Sequence, residues 1–348
     1  MTGALVAEHL AAQDHEVCII DRQRPGFGST AASTSMLMWE IDRSLGDLTA
    51  MYGFERAANI YRRSFAAVSG LAELVNTRRL ACGLRHRRSL YLAAGEIGAR
   101  ELQAEHDLRV RAGLPGEYLD HLTLLEQFGL YREAAIHSIG SADADPLLLC
   151  QALLDAAVGY GAVIYDANAE NYDNSGQGVV VELDNGHVIE AGQVVLATGY
   201  VMPDFVTSNL HKLSSSWAIA TPPQSPAALW RDGALIWEAS ENYCYARTTR
   251  DGRIIIGGED DDRVTEPEER DRLMPAKADA LLHRLNGLWS HVDPVAEFVW
   301  SGTFGTTTDG LPLIGRVPGH PRIHAAYGYG GNGITYSYLA SRMIAASI

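Results

Sequence analysis

Gly3 and Asp21 are spaced as two parts of a nucleotide-binding motif. Gly3 stands at the start of a helical pattern, and Asp21 ends the apolar run "EVCIID" 18 residues later. In a βαβ dinucleotide site, a glycine lets the helix pack closely on a strand, and an acid about 20 residues further on binds the ribose hydroxyls. The pair alone is weak evidence, because a glycine and an acid fall at this spacing by chance in many chains.

Two later segments strengthen the nucleotide interpretation. The apolar strand "VVLATGY" ends in Thr198 and Gly199, where bare backbone could approach a cofactor. The segment "AYGYGGNGITYSYLASRMIA" places a glycine-rich turn directly before a helix. A helix N-terminus offers free N–H groups and a positive dipole to an anion or an electron-rich ring edge. The alternative is that these glycines only form a tight turn.

The strand "NYCYART" has side chains that could recognise a substrate. Alternation along a strand places Tyr243, Tyr245 and Arg247 on one face. If that face is turned to the cofactor, the site is an aromatic pocket with one cation, and Arg247 could bind a carboxylate. The alternative is that the tyrosines are half-buried sheet residues and Arg247 pairs with a surface acid.

Composition narrows the class of protein. The 348 residues are 47% hydrophobic, which allows a sizeable core, and the length suggests two domains or one large, interrupted domain. The formal charge of -15 argues against nucleic-acid binding and favours small-molecule partners. Four cysteines without a CxxC pair indicate reduced thiols, and the acidic run at 259–262 is interpreted as a solvated loop, so we expect no metal site. With no apolar run long enough for a membrane span and no signal peptide, the predicted location is the cytoplasm.

The elements that position these residues alternate between helix and strand. The sequence predicts one long amphipathic helix over 47–75, a helix opened by Asp145 and Pro146, a hairpin with an Asn-Gly turn, an antiparallel sheet after residue 216 and a charged helix over about 267–288. This order predicts an α/β fold, α+β overall, in which a Rossmann-like nucleotide domain is interrupted by a substrate domain built on an antiparallel sheet. The expected domain ranges are 1–80, 138–205 and 306–348 for the first, and 81–137 and 206–305 for the second.

Seven short segments in order resemble the D-amino acid oxidase family of FAD-dependent oxidoreductases, which includes glycine oxidase and gamma-glutamylputrescine oxidase. They are "GALVAEHLAAQDHEVCIID", "GFGSTAASTSM", "DADPLLL", "VVLATG", "YARTTRDGRIIIGGED", "TTDGLPLIG" and "GYGGNGIT". The resemblance covers nearly the whole chain. It implies non-covalent FAD and the oxidation of a C–N bond of an amine or amino acid, with hydride passing to flavin N5 and the electrons then passing to oxygen or another acceptor.

The resemblance also assigns roles to residues. Asp21 would hold the adenosine ribose, with Arg22 beside it and Gly3 in the helix. Ser29 and Thr30 would approach the pyrophosphate or ribityl chain, and Thr198 and Gly199 would line the FAD. The flavin ring would lie by the residues of the last turn and helix, namely Gly331, Asn332, Gly333, Ile334 and Thr335.

The family pattern begins with a strand and two glycines that this sequence does not have before Gly3. We therefore expect a fragment of a longer FAD enzyme, and a chain that keeps the fold but does not retain FAD is the alternative function. An NAD(P)-dependent dehydrogenase is a third possibility, since a ribose acid and a glycine turn serve that cofactor too. The pair "TDGLPLIG" and "GYGGNGIT" argues against it. The oligomeric state is left open.

The substrate pattern departs from the family at one position. In the amino-acid-oxidising branch, an arginine four residues after the tryptophan of a W-x-G segment binds the substrate carboxylate with two hydrogen bonds. Here the tryptophan is Trp300, and that position is Phe304. An aromatic ring cannot replace a guanidinium fork. The sequence therefore predicts that the substrates are amines, or amino acids whose carboxylate lies away from the carbon that is oxidised.

Overall fold

The computed structural model describes residues 1–174, 176–207 and 209–348, and the chain folds into a mixed α/β structure. The helices are α1 Thr2–Ala11, α2 Ser29–Ala32, α3 Leu45–Tyr52, α4 Phe54–Arg78, α5 Ala99–Arg111, α6 His121–Phe128, α7 Pro146–Gly159, α8 Pro267–Leu288 and α9 Gly333–Ala345. The strands are β1 Cys18–Asp21, β2 Met36–Leu37, β3 Arg85–Ala93, β4 Glu117–Asp120, β5 Ala134–Asp143, β6 Val163–Asp166, β7 Ala169–Asp173, β8 Val179–Leu183, β9 Val188–Ala191, β10 Val194–Leu196, β11 His211–Ala220, β12 Leu235–Ala239, β13 Cys244–Thr248, β14 Ile254–Asp261, β15 Phe298–Thr307, β16 Leu313–Val317 and β17 His320–Tyr327.

Nine strands form one large sheet. Its order is β15-β11-β14-β13-β12-β3-β5-β2, with β4 also paired to β5. Every pair in it is antiparallel except β12 with β3, which run parallel. The antiparallel arrangement predicted for the strands after residue 216 is therefore confirmed. The end strand β15 contains Phe304.

Three smaller sheets lie apart from the large one. Strands β1 and β6 run parallel and bring Asp21 beside Asp166. Strands β10 and β17 also run parallel, and β16 adds an antiparallel edge. Strands β7, β8 and β9 form an antiparallel meander, in which the amide of Leu183 donates to the carbonyl of His187 around Asn185 and Gly186. The predicted Asn-Gly hairpin is confirmed.

The single long helix predicted over 47–75 is two helices. Gly53 separates α3 from α4 with φ at 80° and ψ at 154°, a conformation that favours glycine. Its amide still closes α3 on Thr49, while its carbonyl accepts the first bond of α4 from Ala57. Because α3 takes a new direction, Met51 is 46% exposed instead of lying on the predicted buried face.

The boundaries of other helices agree with the sequence prediction where a capping residue or a proline marks the helix start. Asp145 caps α7 by accepting from the amides of Leu147 and Leu148, and α8 covers the predicted range 267–288. The sequence predicts no strand over residues 96–137, and the structure has β4 and the start of β5 there, which pair with each other and with β3. The acidic run at 259–262 is not a solvated loop, since β14 extends to Asp261.

The apolar interior divides between two main clusters. One joins α1, α4, α7 and α9 around Leu5, Leu71 and Leu149, and the other lies between α8 and the large sheet around Trp217 and Leu281. The two-domain boundaries stay a prediction. None of the helices in the described ranges is long and apolar enough to cross a membrane.

Candidate cofactor and substrate site

A cavity of about 2440 Å³ runs between the small parallel sheets and the end of the large sheet. Its lining includes residues of α1, β1, β10 and α9 on one side and of β13 and β15 on the other. Pockets for drug-sized ligands measure about 300–1,000 Å³. The cavity is therefore large enough for a dinucleotide together with a small substrate.

Most of the residues predicted to bind the cofactor line this cavity. From the first half of the chain they are Gly3, Asp21, Arg22, Ser29 and Thr30, and from the later segments Thr198, Gly199, Gly331, Asn332, Gly333 and Ile334. The first and the last of these residues, Gly3 and Ile334, are more than 300 positions apart in the sequence, and the fold brings the whole set to one cavity.

The acid end of the cavity is built by β1. Asp21 is the last residue of that strand, and its Oδ1 accepts a hydrogen bond from the amide of Gln23 at 3.0 Å. Gly3 lies in the first turn of α1, where an added Cβ would be 3.5 Å from Ala197, an ordinary contact. Gly3 therefore permits close packing of α1, but the described neighbours do not strictly require a glycine there.

The turn before α9 forms the opposite end. Gly331 and Gly333 line the cavity, and no atom lies within 4 Å of a Cβ added at Gly333, so the N-terminus of α9 opens onto free space. Asn332 also reaches the lining, but its side chain is 6% exposed and donates to the carbonyls of Met38 at 3.2 Å and Glu40 at 2.8 Å. Its amide thus holds a neighbouring segment in place.

Thr335 does not line the cavity, which corrects its predicted place among the cofactor contacts. It is 1% exposed, and its hydroxyl donates to the carbonyl of Met38 at 2.9 Å. It is the third residue of α9, and its side chain lies against Met38, away from the open N-terminus of the helix. Thr335 therefore positions the segment around Met38 together with Asn332.

That segment is part of the site that the sequence analysis missed. Met38, Glu40 and Asp42 line the cavity, while Trp39 and Ile41 between them are fully buried in the core. The signal was present in "LMWEID", since alternating apolar and polar residues indicate an extended segment with one face buried. Asp42 brings a carboxylate into the cavity, whereas the Glu40 carboxylate is buried and accepts from the hydroxyls of Ser89 and Ser141.

Asp42 is held directly against the glycine turn. Its Oδ2 accepts a hydrogen bond from the amide of Gly331 at 2.8 Å. A Cβ added at Gly330 would lie 1.9 Å from the same oxygen, so the carboxylate fits there only because residue 330 has no side chain. The Asp42 side chain is exposed to the cavity yet enclosed by protein, and this enclosure raises its pKa to about 6, with Asp260 adding repulsion.

The wall formed by the large sheet is aromatic. Tyr243, Tyr245, Trp237 and Phe304 all line the cavity. Burial raises the pKa of Tyr245 to about 12 and that of Tyr243 further, so both remain neutral phenols. Asp260 lies beside Tyr243, behind the lining, and burial raises its pKa as well.

Arg247 does not line the cavity, which corrects its predicted role as a carboxylate ligand. Its Nε donates to the carbonyl of Thr34, and its Nη1 lies 3.7 Å from Asp143. Asp143 is 1% exposed and also pairs with Arg85 and Arg87. The alternation along β13 was predicted correctly, but Arg247 lies farther along the strand than the cavity extends.

Among the described lining residues, the guanidinium nearest to Phe304 in the fold belongs to Arg270 of α8. Its Nη1 donates to the hydroxyl of Thr303, the residue before Phe304. Strand neighbours point to opposite faces of a sheet. Ser301 and Thr303 contact α8, whereas Trp300 donates to the carbonyl of Ala32 on the other face. Arg270 therefore lies on the α8 side of β15 and does not take the place of the missing arginine.

The residues present fit FAD in three respects. Both α1 and α9 begin at the cavity, so their N-terminal amides and dipoles face it. A carboxylate ends β1 where a ribose acid is expected, and glycines leave bare backbone at Gly199 and Gly333. FAD supplies the hydride acceptor when it is bound, and the protein orients the substrate.

Comparison with known proteins identifies the family of the chain. The family model described as FAD dependent oxidoreductase matches residues 1–347. Gamma-glutamylputrescine oxidoreductase of Escherichia coli strain K12 is 25% identical over 362 residues, covering 99% of this chain and 80% of that protein. Glycine oxidase of Geobacillus kaustophilus strain HTA426 is 26% identical over 356 residues, covering 99% of this chain and 89% of that protein.

Solved structures show the same fold. The crystal structure of glycine oxidase from Geobacillus kaustophilus superposes with a TM-score of 0.79 at 23% identity, over 99% of this chain and 90% of that one. L-alpha-glycerophosphate oxidase from Mycoplasma pneumoniae, solved with FAD bound, also gives 0.79 at 14% identity, over 99% and 91%. The chain therefore belongs to the family of FAD-dependent oxidoreductases that includes D-amino acid oxidase.

Proposed function

We propose that this oxidoreductase oxidises the C–N bond of an amine, or of an amino acid whose carboxylate lies away from the oxidised carbon. The observation that supports this is the composition of the cavity wall at Phe304. An aromatic side chain faces the space where a guanidinium would bind an α-carboxylate, and Arg247 is paired with Asp143 elsewhere. A carboxylate brought into this part of the cavity would meet the carboxylate of Asp42, and the lining guanidinium of Arg270 lies on the α8 side of β15, bonded to Thr303.

The reaction class follows from the family and the shape of the site. When bound, FAD would accept a hydride from the carbon next to nitrogen, and water would hydrolyse the resulting imine to a carbonyl compound and ammonia or an amine. The chain's own residues enclose the substrate between the glycine turn before α9 and the side chains of Tyr243 and Tyr245. Gamma-glutamylputrescine oxidoreductase, one of the relatives, is named for a substrate of the amine type.

The test is reduction of the bound flavin without oxygen. The FAD-loaded protein is mixed anaerobically with butylamine, 1,4-diaminobutane, 4-aminobutanoate, glycine, sarcosine and D-alanine, and bleaching of the flavin band is followed. We expect the amines and 4-aminobutanoate to bleach it faster than glycine, sarcosine or D-alanine. Faster bleaching by D-alanine than by every amine would contradict the proposal. Readmitting oxygen or adding a quinone then identifies the electron acceptor.

A further inference from the structure

Asp42 is an acid without a cationic partner in the cavity. Among the described residues, no ammonium or guanidinium nitrogen lies within 4 Å of its carboxylate, and Arg43, next in the chain, donates to the carbonyl of Thr308 instead. Two charged groups act on the Asp42 carboxylate: Asp260 repels its negative charge and Arg43 attracts it. Both effects on its pKa are smaller than the effect of burial. The negative charge of this corner is therefore not balanced by a contact within the described chain.

Only one of the two carboxylate oxygens of Asp42 accepts a hydrogen bond from the described residues. Oδ2 accepts from the amide of Gly331, while Oδ1 has no hydrogen-bond donor among the described residues and lies 3.0 Å from the position of a Cβ on Gly331. The amide donor and the nearby N-terminus of α9 favour the charged carboxylate in this orientation. The free oxygen can then accept from a ligand in the cavity.

The aromatic wall suits the same kind of ligand. Tyr243, Tyr245 and Phe304 line the cavity, and the two tyrosine ring centroids are 6.1 Å apart. A cation near aromatic rings is stabilised by their quadrupoles, by about 0.5–2 kcal/mol depending on desolvation. A carboxylate and aromatic rings in one cavity together favour an organic ammonium ion over a neutral or anionic group.

We propose that Asp42 binds the ammonium group of the substrate and accepts one proton from it before the C–N bond is oxidised; this inference rests on the proposed function. The substrate R–CH2–NH3⁺ gives a proton to the Asp42 carboxylate and becomes R–CH2–NH2, with the nitrogen lone pair free. Hydride loss from the carbon then gives R–CH=NH2⁺, which water converts to an aldehyde and ammonium. Asp42 returns its proton to solvent through the open cavity.

The environment of Asp42 suits a proton acceptor. Enclosure raises its pKa to about 6, so the group is mostly charged at neutral pH yet is a stronger base than an ordinary aspartate. Asp260, Tyr243 and Tyr336 face Asp42 from the surrounding elements, and Arg43 adjoins it along the chain. Both tyrosines have raised pKa values, so they do not compete as bases near neutral pH.

The test uses a cation that cannot be oxidised. tert-Butylammonium has no hydrogen on the carbon next to nitrogen, so its binding to the FAD-loaded protein can be measured by calorimetry and by perturbation of the flavin absorbance, with tert-butanol as the neutral isostere. We expect Asp42→Asn to weaken tert-butylammonium binding by about tenfold or more and to leave tert-butanol binding unchanged. Asp279→Asn, which removes an exposed carboxylate of α8, should leave both unchanged.

A second measurement needs no variant. Lowering the pH from 8 to 5 protonates Asp42 in the native chain, so tert-butylammonium should bind more weakly at pH 5. The kcat/KM for butylamine should fall over the same pH range, which gives the pH profile an acid limb. That limb should be absent in Asp42→Asn. Equal binding of tert-butylammonium to the native protein and Asp42→Asn, with no change between pH 8 and 5, would overturn the inference. Failure of every amine to bleach the flavin, with tert-butylammonium binding dependent on Asp42, would instead reject the proposed function alone.

Discussion

The guanidinium of Arg247 on β13 and the carboxylate of Asp143 at the end of β5 form a buried pair 3.7 Å apart. Arg85 and Arg87 of β3 contact the same carboxylate, and Arg247 also donates to the carbonyl of Thr34. Arg247 thus joins Asp143 and the large sheet to the segment around Thr34, which lines the cavity. The contribution of Arg247 is to hold these elements together.

We therefore expect Arg247→Gln to change stability and leave substrate affinity intact. Two arginines remain on Asp143 in this variant, so the free energy of unfolding should fall by about 1–3 kcal/mol, the cost of a lost charged hydrogen bond. The KM of the best amine should be unchanged. Urea unfolding and anaerobic flavin bleaching measure the two quantities. A raised KM with unchanged stability would place Arg247 at the substrate after all.

Asp143→Ala is expected to cost more than Arg247→Gln. It leaves three guanidinium groups without their shared carboxylate, and removing one partner of a buried pair typically costs about 3–5 kcal/mol. Urea unfolding of the two variants side by side makes the comparison. Equal losses would mean that Arg247 alone accounts for the stabilisation.

Asp21→Ala should weaken FAD binding. A ribose-facing, charge-assisted hydrogen-bond pair contributes on the order of 1–3 kcal/mol, which corresponds to about tenfold to a hundredfold in Kd. Equilibrium titration of flavin fluorescence measures it. Asp155→Ala is the matched control, since Asp155 is exposed on α7 and does not line the cavity. Unchanged affinity in Asp21→Ala would assign this acid to the surface.

Phe304→Arg should move the preference toward α-amino acids. The variant places a guanidinium on the cavity side of β15, where it can form two hydrogen bonds to a carboxylate and repel an ammonium ion. The ratio of kcat/KM for D-alanine to that for butylamine should rise by about tenfold or more. Phe304→Leu controls for the loss of the ring. A ratio that stays constant in Phe304→Arg would remove Phe304 from the specificity argument.

The stability of the protein should depend on pH through Asp42. Enclosure raises the pKa of this acid to about 6 from the ordinary 3.8, so between these values the folded chain retains a proton that the unfolded chain has lost. The stabilisation is present below pH 4 and is lost as the pH rises through 6. Urea midpoints of the native protein should therefore fall relative to Asp42→Asn over this window. Parallel curves for the two proteins would refute it.

Asn332→Ala should loosen the segment that presents Asp42. The variant removes the donor to the carbonyls of Met38 and Glu40, and buried groups left unpaired cost about 1–3 kcal/mol. Amide hydrogen exchange over residues 38–42 should become faster, and the urea midpoint should fall. Asn59→Ala, at an exposed position of α4, is the control and should be near neutral. Unchanged exchange at 38–42 would show that Thr335 alone holds the segment.

Much of the fold could be predicted because its signals are local. The cap at Asp145, the Asn-Gly hairpin and the range of α8 follow from residues within a few positions of each boundary. The break at Gly53 was missed because a glycine inside an amphipathic pattern is tolerated in many helices, and only its positive φ shows that the chain turns. The strand β4 was missed because its partner determines it.

The residues of the candidate site could be predicted where the residue type and its position in a helix or strand together indicate one role. Glycines at helix starts and an acid at a strand end reached the cavity as expected. Arg247 did not, because alternation gives the face of a strand but not how far along it a cavity extends. Asp42 was missed since no motif marks it, although the alternation of "LMWEID" around Trp39 and Ile41 indicated that its side chain faces away from the core.

The contact between Gly330 and Asp42 constrains how this protein can evolve. A Cβ at Gly330 would lie 1.9 Å from the Asp42 carboxylate, and the φ of 57° at Gly330 also favours glycine. A side chain at position 330 would therefore displace the Asp42 carboxylate from the amide of Gly331, whereas Asp42 can change without a clash. A lineage that keeps the acid in this position is expected to keep the glycine with it.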